Sequence, residues 1–154
     1  MKTERIVRGA AIAGLYVALV YIFQPISFGQ IQLRIAEALT VLPILYVEAV
    51  PALFVGCLLA NLLGPVGPWD IIGGSLVTLL AAIGTYKFRN SILAYLSPVI
   101  LNGLLVSLYL TWIIEKLPYW ITAISISVSE AIVVFGLGMP LINYLKGRAG
   151  KGKS

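Results

Sequence analysis

The chain has no histidine and a single cysteine, Cys57, and only 11% of its 154 residues are charged. Without histidine, the commonest proton shuttle and zinc ligand is missing. One thiol can build neither a disulfide framework nor a thiolate metal site, so no metal site and no cofactor bound by this chain is expected. Serine hydrolysis assisted by a histidine base is excluded, which leaves only a carboxylate or lysine variant for a membrane enzyme. A phosphate-cradling glycine loop is lacking too: "GGSLVT" (73–78) has no Lys-Ser/Thr ending and sits within an apolar run. Any ATP must be used by partner proteins.

What the chain has in quantity is apolar surface. Hydrophobic residues make up 60% of it, far above the usual share for a soluble domain. This composition predicts an all-α membrane protein, multi-pass in the cell membrane, with residues 1–154 as a single transmembrane domain. Turn-forming breaks at 25–30, 46–51, 64–69, 86–91 and 115–119 leave six apolar stretches, at about 6–24, 34–46, 50–63, 70–86, 92–113 and 120–145. The second and third are shorter than the roughly 17 residues at the low end for a spanning helix. They are expected to cross a thinned region or to be only partly lipid-exposed. Lys2, Arg5 and Arg8 precede the first apolar run as they would in a signal peptide, but no small-residue cleavage site follows, and a retained first span is expected.

The net charge of +5 comes from eleven basic residues against six acidic ones. A basic excess can indicate nucleic acid, but here its distribution points to a bilayer. With six spans, nine of the eleven fall on one side: Lys2, Arg5 and Arg8, then Lys87 and Arg89, then Lys146, Arg148, Lys151 and Lys153. The positive-inside rule makes that side, and both termini, cytoplasmic. The tail 146–154 reads as a basic, lipid-facing end.

Polar groups inside spans are the candidates for function, because a charge at the helix centre costs about 2.5–3.5 kcal/mol on insertion scales. Glu130 lies about ten residues into span 6, roughly 15 Å deep at the helical rise, with Ala123 and Ser127 on its face. It reads as a carboxylate facing a ligand cavity; the alternative is a hydrogen bond to another span. Asn102 reaches a similar depth in span 5, with Val106 and Tyr109 on its side, where an amide and an aromatic ring suit the edge and face of a heterocycle. A second span-packing hydrogen bond is again the alternative. Asp70, after Pro68 and Trp69, stands where a carboxylate caps a helix start, and Gly73 and Gly74 open close approach one turn on. Arg34 and Glu37, at i and i+3, can pair at the outer end of span 2, and Asn61 reads as a helix-end anchor. In span 1, Ala10, Gly14 and Ala18 form a ridge of small side chains suited to another membrane helix.

Four blocks, "FGQIQLRIAEALTVLP" (28–43), "GCLLANLLGPVGPWDIIGGSLVTLLAA" (56–82), "PVILNGLLVSL" (98–108) and "SEAIVVFGLGMPL" (129–141), resemble in order the queuosine-precursor transporter family of QueT type. Its members are substrate-binding subunits, or S components, of energy-coupling-factor importers. The resemblance implies a six-helix S-component bundle that binds a 7-deazaguanine precursor on the outer side. It implies a transmembrane coupling subunit and two ATPase subunits as partners, with the ridge Ala10, Gly14 and Ala18 meeting the coupling subunit. The loop from Ser27 to Leu33, including Gln30 and Gln32, becomes a lid, with Arg34 and Glu37 fixing its base. The substrate is expected to meet Glu130, Asn102, Tyr109, Ser127, Asp70 and Trp69.

The chain departs from the family pattern where a Gly-x-Glu is expected after the asparagine: it reads Ser107, Leu108, Tyr109. Ser129 replaces the expected glycine before Glu130. If the missing acid bound an aminomethyl ammonium, then Glu130 or Asp70 must serve that charge, or the ligand is a neutral relative. A carboxylate accepts adjacent N–H donors as a fork, and the Asn102 amide can take a carbonyl. Two other readings are an S component for another vitamin-like molecule and a stand-alone secondary transporter, although the latter calls for ionisable relays that spans 5 and 6 lack below Glu130 and Asn102.

Overall fold

The computed structural model describes residues 2–27, 33–115 and 118–151, and among these every regular element is helical. Gln30 and Gln32 lie outside the described residues. Helix α1 (Lys2–Ile22) is followed by one short turn, Gln24–Ser27. Then come α2 (Ile35–Ile44), α3 (Ala49–Leu63), α4 (70–87), α5 (Leu93–Trp112) and α6 (Tyr119–Arg148). Helices α1, α5 and α6, at 21, 20 and 30 residues, are long and apolar enough to cross a membrane. At about 1.5 Å per residue, even the 20-residue helix matches the roughly 30 Å hydrocarbon core.

The short second stretch is explained by its winding. α2 is a ten-residue 3-10 helix, and at about 2.0 Å per residue it extends roughly 20 Å, where an α-helix of that length would reach about 15 Å. Its side chains from Ala36 to Pro43 are all buried, and it touches α1, α3, α4, α5 and α6. It is therefore the central rod of the bundle, shielded from lipid by its neighbours. Such a position tolerates few polar groups, and Thr40 satisfies its own hydroxyl by donating to the Glu37 carbonyl at 2.6 Å.

Small residues bring the outer helices close. A side chain on Gly56 of α3 would stand 2.9 Å from Tyr16 Cβ and 3.1 Å from the Ala13 carbonyl oxygen, so only glycine lets α1 and α3 meet there. Gly138 of α6 performs the same task against Val41 and Ala38 of α2.

The surface is a belt of exposed Leu, Ile and Val, as a protein solvated by lipid tails requires. The three tryptophans, Trp69, Trp112 and Trp120, are exposed at the end of the bundle where α4 starts, α5 finishes and α6 starts. Arg5, Arg8 and Arg89 gather at the other end. Arginines gathered at one end, and amphipathic aromatic rings at the level of the interface, are expected of a membrane-embedded bundle.

Candidate functional site: a buried cavity with two carboxylates

α5 carries Pro98, whose missing N–H leaves the Ala94 carbonyl without its helical donor; the Thr85 hydroxyl of α4 donates to it at 3.0 Å. One turn later α5 widens into a π-helical turn over Asn102–Val106, a distortion that recurs at functional sites. Asn102 leads that turn into the bundle and is 4% exposed. Glu130 of α6 and Glu37 of α2 approach from either side, at 6% and 2% exposed.

The three groups form one network. Asn102 Nδ2 donates to Glu130 Oε1 at 2.8 Å and to Glu37 Oε2 at 3.4 Å, so both hydrogens of one amide are directed at two carboxylates. The reverse amide orientation would set an oxygen against carboxylate oxygens and is disfavoured. Tyr16 of α1, fully buried, donates its hydroxyl to Glu37 Oε1. The Asn102 Oδ1 atom is buried and accepts no hydrogen bond among the described residues.

Glu37, Asn102 and Glu130 line one cavity with Arg34, Gly74, Thr78, Val106 and Ile126. Its free volume is about 20 Å³, enough for one water molecule and far below the roughly 300 Å³ at the small end of ligand pockets. The site is contracted here, and a ring-sized ligand requires the helices around it to part. Chemically it offers acceptors: two carboxylates and a free amide oxygen, with the Arg34 guanidinium as the charged donor. No group of three metal-ligating side chains occurs among the described residues.

The remaining sequence candidates lie elsewhere. Asp70 accepts the Tyr109 hydroxyl at 3.0 Å, and the Tyr109 ring packs on Gly73. The room left by those glycines is thus filled by an aromatic ring of the protein itself, beside the cavity. Asn61 ties this corner together by donating to the Asp70 carbonyl at 2.9 Å. The Ser127 hydroxyl faces the backbone of Gly103, where no side chain could fit. Trp69 is 59% exposed at the rim. Ala10, Gly14 and Ala18 are exposed on the outer side of α1. Tyr16 was not among the expected residues, although it is the one polar-tipped side chain on the inner face Ile12, Ala13, Tyr16, Val20. That pattern was its signal. Thr78, which donates to the Gly74 carbonyl at 3.0 Å, had no comparable one.

Apolar helices packed around a buried polar cavity are the architecture of a multi-pass membrane protein. The chain belongs to the QueT transporter family, whose model matches residues 6–147, all but the first five and last seven residues. No curated protein and no solved structure matches it.

Proposed function

We propose that the chain is the S component of an energy-coupling-factor importer, with six membrane spans and both termini cytoplasmic, and that it captures a 7-deazaguanine precursor of queuosine. The observation that carries this reading is the convergence of Glu37, Asn102, Glu130 and Arg34 on one buried cavity from segments far apart in the sequence. Two carboxylates in apolar surroundings, each about 2.5–3.5 kcal/mol costly at a helix centre, favour a ligand that brings positive charge and N–H donors.

A 2-amino-pyrimidinone edge presents adjacent N–H groups to one carboxylate as a fork, and an aminomethyl ammonium takes the other. Glu37 thereby supplies the second acid that α5 lacks at Ser107, Leu108 and Tyr109. The amide role expected for Asn102 shifts accordingly. In the contracted site its NH2 group is engaged by Glu37 and Glu130, which leaves its oxygen to accept from the ligand once the helices part, while Arg34 serves the ring carbonyl. Arg34 and Glu37 thus belong to the binding site as well as to the base of the lid.

Transport needs partners. The exposed ridge Ala10, Gly14 and Ala18 adjoins an apolar groove that includes Gly9, Ala13, Ala52 and Val55, which supports docking of a transmembrane coupling subunit there. Two ATPase subunits hydrolyse ATP, and this chain binds no cofactor of its own. Uptake of a labelled 7-deazaguanine into vesicles tests the assembly: accumulation is expected only with the coupling subunit, the ATPases and ATP together. Accumulation by this chain alone would make it a stand-alone carrier.

A further inference from the structure

At the bundle end away from the tryptophans lies a second cavity, of about 320 Å³, whose polar lining comes from Arg5 and Arg8 of α1, Arg89 after α4, Tyr46 and Glu48 between α2 and α3, and Tyr86 of α4. Two of its three arginines are held on aromatic faces. The Arg8 guanidinium lies 4.5 Å above the Tyr46 ring and makes an ion pair with Glu48 at 2.6 Å. Arg89 lies 4.8 Å above the Tyr86 ring. Aromatic faces keep a guanidinium in position while leaving its N–H edge available. Glu48 neutralises one of the three arginines, so the cavity keeps an excess of two positive charges.

We propose that this cavity binds the phosphate-bearing head group of an anionic membrane lipid. The chemistry is that of a phosphate monoanion held by Arg5 and Arg89, with Arg8 and Glu48 forming its wall. A lipid is the favoured source because the cavity opens at the end of a bundle whose flanks are exposed Ile6, Val7, Phe88 and Ile92, surfaces suited to acyl chains. Basic pockets between helices at the cytoplasmic level are suited to anionic head groups. The site is separate from the carboxylate cavity and stands whether or not the ligand proposed above is right.

The full-length chain, purified in detergent, is incubated with phosphatidylglycerol or with phosphatidylcholine of the same acyl chains, and retained lipid is counted by native mass spectrometry. Selective retention of phosphatidylglycerol is expected. The double variant Arg5→Gln, Arg89→Gln should lower it at least about tenfold, as the loss of direct charge-assisted hydrogen bonds to the phosphate does. Lys146→Gln with Arg148→Gln removes the same charge away from the cavity and should lower it less than about twofold. Equal retention of the two lipids, or equal losses in the two variants, would overturn the proposal. So would inorganic phosphate that displaces the lipid at micromolar concentration, which would assign the cavity to a soluble anion.

Discussion

Two polar cavities of this protein differ in sign, depth and the way their charges are held. The inner one sets two carboxylates, almost fully buried, against one amide and one tyrosine. The one at the arginine end sets three arginines at the rim, two of them on aromatic faces, with a single glutamate. A rim charge keeps most of its hydration and costs little, so arginines there need only a membrane surface to explain them. Charges in the interior are costly unless a partner offsets them. The contrast separates what a membrane location requires from what ligand capture requires.

The largest expected effect comes from removing one inner charge. Glu130→Gln, and separately Glu37→Gln, should weaken binding of an aminomethyl-deazaguanine by at least about 100-fold, as truncating a buried charge partner does. Neither should lower the melting temperature without ligand, because each deletes a buried charge. Asn102→Ala should behave differently. It leaves two carboxylates facing each other without their bridging donor, so both affinity and stability fall, the latter by about 1–3 kcal/mol in denaturation. Tyr16→Phe removes one donor to Glu37 and should weaken binding about tenfold, measured by titration of the purified chain. The smallest effects belong to Ser127→Ala and to Arg5→Gln, each expected to leave ligand affinity within about 0.5 kcal/mol of the parent. A large loss in the Arg5 variant would mean that the two cavities are coupled.

The polar outliers of the apolar stretches were legible in the sequence because so few exist. Glu130 and Asn102 could be placed at one depth by counting residues, and the structure brings them to 2.8 Å. Arg34 and Glu37 were visible as a pair, but their spacing specifies only a shared helix face and says nothing of what that face meets. Their place beside Asn102 depends on α2 running through the centre of the bundle as a 3-10 helix. In a stretch where nearly every residue is apolar, periodicity cannot separate 3.0 from 3.6 residues per turn. One trace was present: Arg34, Glu37 and Thr40 repeat at three-residue spacing, which superimposes on a 3-10 helix and drifts on an α-helix. The match of Tyr109 to Gly73 was hidden for another reason, since glycines that admit a ligand and glycines that admit a ring of the protein look the same in one dimension.

The central claim is that Glu37 and Glu130 together recognise a cationic deazaguanine. It is tested most directly by thermal stabilisation of the detergent-purified chain, because a ligand that binds only the folded state raises the melting temperature. The panel is 7-deazaguanine precursors with and without the aminomethyl group, guanine, riboflavin, thiamine and biotin. The account predicts the largest rise with the aminomethyl compound, lost in Glu130→Gln and in Glu37→Gln while both variants melt no lower than the parent without ligand. An undiminished rise in both variants, or a rise with another vitamin and none with any deazaguanine, would contradict it.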